Sequence, residues 1–139
     1  MNDLERRLQR LEAKTAPRLV LLDAPLTSTA WDGDHYSTAA KTKIDLSTVF
    51  SAPANIKAIL VNFSIHDSAS STNDCYMYLS ANDTADLGII ASCAGLADSA
   101  VARGQLTVKC NTDGDVYYQI YASGASTFGV FLRIWGYWI

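Results

Sequence analysis

Pro17 separates two hydrophobic periods that cannot belong to one structural element. Before it, Met1, Leu4, Leu8 and Leu11 alternate spacings of three and four residues; from Leu19 onward, apolar residues recur at every second position. The first period belongs to a helix that packs on a like helix, the second to a strand with one buried face. Proline has no amide hydrogen and its ring clashes with the preceding turn, so the helix must end there. The pattern predicts a short helix followed by a mainly β domain, divided as residues 1–17 and 18–139.

The helix is predicted to run from residue 3 to about residue 15. Asn2 is placed to cap it, with Glu5 three positions later as in a capping box, and Lys14 falls in its last turn. In heptad terms Met1 and Leu8 take a, Leu4 and Leu11 take d, Glu5 and Glu12 take e, and Arg7 and Lys14 take g. In a parallel coiled coil, Arg7 of one chain reaches Glu12 of its neighbour, which fixes partner and orientation. Leucine at both a and d does not by itself select three strands over two. The hexapeptide Arg7-Leu8-Gln9-Arg10-Leu11-Glu12 resembles a trimerisation signature of short coiled coils, Arg-hydrophobic-x-x-hydrophobic-Glu, at every defined position. That resemblance implies a homotrimer held by Leu4, Arg7, Leu8, Leu11 and Glu12. Two heptads alone are marginal in water, so a second contact between chains is expected elsewhere.

Hydrophobic residues at 49% and charged residues at 18% describe a globular domain with a substantial core. No apolar run approaches the roughly 18 residues needed to span a bilayer, and the charged N-terminus is unlike a secretory leader. The expectation is a soluble protein made in a cytoplasm, with no membrane insertion. Charge is unevenly placed. The first eighteen residues carry five cations and three acids, whereas the remainder carries six cations and eleven aspartates. An acidic domain of this kind repels phosphate backbones, so nucleic acid is not an expected partner. Cys75, Cys93 and Cys110 fit no close metal-ligand spacing and read as small buried hydrophobes, although an odd count leaves room for one intermolecular disulfide.

The strands follow from alternation. Ile59, Val61, Phe63 and Ile65 alternate with Leu60, Asn62, Ser64 and His66; Leu106, Val108 and Cys110 with Gln105, Thr107 and Lys109; Val116, Tyr118, Ile120 and Ala122 with Tyr117, Gln119, Tyr121 and Ser123. Shorter strands are predicted at Leu19–Leu22, Thr42–Leu46, Cys75–Leu79 and Leu87–Ala91, and a last one at about Phe128–Trp138. One helical turn is expected near Ser47–Phe50. Asn111-Thr112-Asp113-Gly114-Asp115 reads as a hairpin turn, and Ser123-Gly124-Ala125-Ser126-Thr127 joins the last two strands. Asp67 to Asp74 reads as a polar loop with no apolar anchor larger than Ala69. About eight short strands so connected fit an antiparallel β-sandwich or jelly-roll-like domain.

The last strand is apolar on both faces, with Val130, Leu132 and Ile134 in one row and Phe131, Trp135 and Tyr137 in the other. Its second face has to be covered by loops, be buried against other copies, or serve as an aromatic platform for a sugar or a protein. Tyr117, Tyr121, Phe131, Trp135, Tyr137 and Trp138 are the candidate residues of that surface. Trp31-Asp32-Gly33-Asp34 and Asp113-Gly114-Asp115 read as turns, since the distal glutamate of a calcium loop is missing from this domain. No metal or cofactor is expected. His66-Asp67-Ser68 lines up triad residue types along one extended segment, where alternation sends neighbours to opposite faces. His35 lies near no nucleophile elbow, phosphate loop or zinc pattern. No enzymatic activity is expected.

The β-domain is similar to those of small bacteriophage virion proteins at three places. These are Trp31-Asp32-Gly33-Asp34 with Ile44-Asp45-Leu46-Ser47 and Val49-Phe50, then Ala58-Ile59-Leu60-Val61 through Asp67-Ser68, then Asp115-Val116-Tyr117-Tyr118 through Ile134-Trp135-Gly136-Tyr137-Trp138. Related-looking proteins include trimeric capsid decoration proteins, head fibres and tail-fibre tips. The resemblance implies a non-enzymatic structural protein of the virion, a homotrimer at threefold-type positions of the capsid that contacts other virion proteins. The alternative it implies is a tail-fibre or receptor-binding adhesin domain that meets a bacterial surface glycan.

Overall fold

The computed structural model describes residues 1–28 and 41–139. Helix α1 spans Asp3–Thr15. Both bonds of its capping box form: the Asn2 N–H donates to Glu5 Oε2 at 2.9 Å, and the Glu5 N–H to Asn2 Oδ1 at 2.8 Å. Ala16 leaves helical geometry while its N–H still donates to the Glu12 carbonyl at 2.9 Å, and Pro17 ends the helix. A five-residue helix, α2 (Leu46–Phe50), is capped by Asp45, which accepts from the Thr48 N–H at 3.0 Å.

Among the described residues eight strands follow α1: β1 (Leu19–Leu26), β2 (Thr42–Ile44), β3 (Ala58–Asp67), β4 (Tyr76–Ser80), β5 (Ile89–Ser92), β6 (Ala102–Lys109), β7 (Val116–Tyr121) and β8 (Phe128–Trp138). They form two four-stranded antiparallel sheets, ordered β1-β8-β3-β6 and β2-β7-β4-β5. The chain is therefore mainly β, with about the expected strand count and with its N-terminal helix where the heptads end. The inward rows of both sheets enter one core. Ile59, Val61, Val130 and Ile134 come from the first sheet; Ile44, Met77, Leu79, Val116 and Ile120 come from the second. Each buried aliphatic side chain of this size contributes roughly 1.5–3 kcal/mol.

Two expectations are corrected. Asn111–Asp115 is not a hairpin turn, because it carries the chain from β6 in the first sheet to β7 in the second. Its local chemistry is still that of a tight turn. The Asn111 Oδ1 accepts from the Asp113 and Asp115 N–H groups at 3.0 and 2.9 Å, and Gly114 adopts φ +84°. A Cβ at position 114 would lie 2.8 Å from the Asn55 backbone nitrogen, so glycine also serves the close approach of two loops. The second correction concerns β8. Its register against β3 shifts between Leu60 and Val61, which leaves Trp135 as an extra residue. Tyr137 then pairs with inward-facing Ile59 and packs against the core, not in one row with Phe131.

The loop after β3 is polar as expected, and buried polar groups anchor it where apolar ones are missing. Asp67 and Ser70 are fully buried. The Asp67 carboxylate accepts from the N–H groups of Ala69 and Ser123 at 2.9 and 3.0 Å, from the Thr127 hydroxyl at 3.0 Å, and from the Ser123 hydroxyl. It thereby fastens the end of β3 to the crossing between β7 and β8. At the opposite crossing Asp115 accepts from the Leu46 N–H at 3.1 Å, with Lys43 Nζ 4.0 Å away.

Burial alone would raise the Asp67 carboxyl, but the hydrogen bonds from Ser123, Ala69 and Thr127 more than offset it and hold the group below the usual carboxylate range. Folding therefore favours the ionised form. That stabilisation is complete above the unfolded-state value of about 3.9 and is lost as pH falls through the lower folded-state value. Asp67→Asn is expected to cost about 2 kcal/mol at neutral pH in denaturant titrations. It should also flatten the wild-type decline in stability below about pH 4; an unchanged acid profile would exclude this role for Asp67.

Candidate functional site

Not one residue of α1 is buried. Met1, Leu4, Leu8 and Leu11 are 70, 66, 50 and 58% exposed, so the heptad seam is an apolar stripe without cover in the single chain. Arg7 pairs with Asp3 one turn earlier, Nε to Oδ2 at 3.2 Å, with both side chains in solvent. Such a pair is worth little, which leaves Arg7 able to exchange partners. The chain just after α1 is tied to the C-terminus: the Arg18 N–H donates to the Ile139 carbonyl at 2.9 Å, and the Ile139 N–H to the Arg18 carbonyl at 3.0 Å. Beside this anchor Ala13, Lys14, Ala16, Arg18 and Ile139 line a depression of about 440 Å³.

The six aromatic residues singled out from the sequence do not form one surface. Tyr117 and Tyr121 lie on β7, in the opposite sheet from β8. Phe131 is 58% exposed on the outward row of β8, while Val130 and Leu132, on either side of it in the chain, face inward and are buried. Trp138 pairs with Leu19 and Ala58 and is half-buried, as are Trp135 and core-packed Tyr137. Leu21, 68% exposed, pairs with Gly136 nearby, so an apolar strip on the first sheet begins close to the foot of the stem.

The outer face of the second sheet carries a tyrosine cluster of which the sequence reading found one member. Tyr76 of β4 is paired across the sheet with Tyr121 of β7, with ring centroids 4.8 Å apart. Tyr78 stands edge-on to both, at 5.4 Å from Tyr76 and 6.3 Å from Tyr121. The signal that reveals the others is the alternation of Tyr76 and Tyr78 with buried Met77 and Leu79. The segment between β4 and β5 folds across this face. The Asp86 N–H donates to Gln119 Oε1 at 2.9 Å, the Gln119 amide donates to the Tyr121 hydroxyl at 3.1 Å, and that hydroxyl donates to the Asp86 carboxylate. The bond to Asp86, with burial second, pushes the Tyr121 hydroxyl up to about 12. This hydrogen-bonded cluster is a half-covered aromatic platform.

His66 and Asp67 take opposite faces of β3, as alternation requires: Asp67 is buried and His66 is on the outward row. Asp115 is engaged within the protein and Asp113 is exposed. Trp31-Asp32-Gly33-Asp34 and His35 lie outside the described residues. Among the described residues, no cluster of three or more His, Cys, Asp or Glu is arranged to hold a metal ion, and no helix is long and apolar enough to cross a membrane. No protein-family model matches the chain, and no curated protein matches its sequence.

All three cysteines are free and buried. Burial, aided by the Asp67 carboxylate, pushes the Cys75 thiol up to about 12; burial and Asp115 do the same for Cys110. Burial also raises Cys93. An intermolecular disulfide would therefore require the core to open. The native protein should react with a thiol reagent at pH 8 in less than about a tenth of its cysteines over an hour, and in all of them once unfolded. One rapidly reacting thiol in the native state would contradict this burial.

Proposed function

We propose that the protein is a non-enzymatic structural component of a bacteriophage virion, acting as a homotrimer. Three α1 helices form a parallel stem that organises three β-domains. One observation carries the reading: an amphipathic helix of 13 residues, fully capped, exposes its whole apolar seam. A helix of that length is marginal alone in water. Identical helices supply the apolar cover it needs, and the exchange of Arg7 from Asp3 to a neighbour's Glu12 sets them parallel. Association of this kind at threefold-type positions of a capsid matches the symmetry of the site.

The strand order supports a jelly-roll sandwich. Strands β1 and β8, β2 and β7, β3 and β6, and β4 and β5 are antiparallel partners. Each pair adds to nine, as in one long antiparallel ribbon rolled into two sheets, a form found in viral capsid and lectin domains. The half-covered tyrosine platform and exposed Phe131 favour a second reading, in which the β-domain is a tail-borne adhesin.

Replacing Leu8 and Leu11 with Asp removes two seam leucines per chain. At roughly 1.5–3 kcal/mol for each burial, the double variant should dissociate to single chains at micromolar concentration with β-sheet circular dichroism intact. Counting and locating the protein on particles by immunogold electron microscopy tests the task itself. Many copies over the head are expected for the structural reading. A few copies at the tail would assign the adhesin reading, and absence from the particle would overturn both.

A further inference from the structure

The outer face of the first sheet holds hydrogen-bonding side chains that no other described residue engages. Cross-strand pairing builds two rows on it, Gln105–Asn62–Arg133 and, two residues along, Arg103–Ser64–Phe131. Neighbouring strands lie roughly 5 Å apart and alternate residues roughly 7 Å along a strand, so the two arginines stand diagonally across Asn62 and Ser64. These six residues line a shallow depression of about 420 Å³, and an adjoining one of about 330 Å³ shares Ser64, Arg103, Phe131 and Arg133. The glycine at position 129 lets the His66 imidazole lie across β8 at one end, since a Cβ there would collide with the ring.

Two contrasts mark this groove. The first is charge. The outward rows of β3, β6 and β8 carry Arg103, Lys109 and Arg133 and no carboxylate, in a domain with eleven aspartates and six cations. Among the described residues neither Arg103 nor Arg133 has an ion-pair partner. The second is saturation. In the loops, Asp67, Ser71, Asp98, Asn111 and Ser123 are all bonded within the protein. Among the described residues the Asn62, Ser64, Gln105 and arginine side chains here have no such partner, and Phe131 stands 58% exposed beside them.

We propose that this groove binds a sugar bearing a carboxylate, such as a uronic acid residue of a surface polysaccharide. The inference rests on the surface-binding reading of the β-domain and not on the trimer. A guanidinium fork matches a carboxylate through two parallel N–H···O bonds. The exposed Phe131 ring offers an apolar face to the C–H side of a pyranose, and Asn62, Ser64 and Gln105 offer donors and acceptors to its hydroxyls. A depression of this size lies within the range of small-ligand sites. A phosphate chain fits poorly, because it has no C–H face to lay against the Phe131 ring.

The test is a titration of the ¹⁵N-labelled full chain with methyl glucuronide, alongside methyl glucoside as the neutral isostere and acetate as the bare anion. Glucuronide should shift the amides of Ser64, Arg103, Phe131 and Arg133 and saturate in the millimolar range. Glucoside and acetate should bind at least about tenfold more weakly. Arg103→Gln, Arg133→Gln and Phe131→Ala should each weaken glucuronide binding about tenfold while leaving the melting temperature within a few degrees. Absence of shifts up to about 50 mM, equal binding of acetate, equal binding of glucoside, or shifts that map to another face would each overturn the proposal. So would Arg103→Gln changing the assembly mass without any sugar response, which would assign the face to a second copy of this chain. None of these outcomes bears on the mass of the wild-type assembly, so failure here is distinguishable from failure of the trimer.

Discussion

The inward rows of β3 and β8 on one sheet, and of β4 and β7 on the other, can leave water only by closing on each other, and most of the structure follows from that closure. Each row alternates with a polar or aromatic one, so a slip of one residue would turn the whole buried set outward. The chain crosses repeatedly between the two sheets, and a buried carboxylate stands at two of the crossings. Asp67 accepts from the β7–β8 connection, and Asp115 accepts from the first turn of α2. A buried carboxylate is tolerable only when its lone pairs are taken. The same bonds that make it tolerable therefore hold strand ends from different sheets in register.

The β-domain completes itself without the helix. Its core residues come from the two sheets, α2 and the adjoining loops, and α1 contributes none. The leucine seam of α1 is consequently unspent, at the tip of a chain whose other leucines and isoleucines are mostly engaged. That separation is the physical basis for reading the helix as an organiser of copies and the domain as the part that meets something else. It also divides the charge: the stem is basic, the domain is acidic, and the cationic groove of the first sheet stands out against that background.

Much of this was legible in the sequence. The helix ends at both predicted positions because Asn2, Glu5 and Pro17 act through short-range geometry. The strands β3, β7 and β8 begin and end within about two residues of where alternation places them, because burial on one face is a local signature. What alternation leaves open is the sheet to which a strand belongs. Asn111-Thr112-Asp113-Gly114-Asp115 has the chemistry of a hairpin turn, yet the strands it joins pair with β3 and with β2 and β4. The extra residue at Trp135 was equally hidden, since an apolar strand tolerates a bulge without disturbing its composition, and the bulge moved Tyr137 from the outer row to the core. The tyrosine cluster needed the β4–β7 pairing before Tyr76 and Tyr121 could be seen as neighbours. The groove needed β3, β6 and β8 to be side by side before Arg103 and Arg133, thirty positions apart in the chain, could face one ligand.

The proposed trimer requires that copies of the same chain close the exposed leucine seam. Size-exclusion chromatography with multi-angle light scattering on the wild-type protein measures this directly. The expected result is a mass three times that of the 15.1 kDa chain, maintained into the micromolar range. A single-chain mass at those concentrations would contradict it and leave α1 as a helix without an established role.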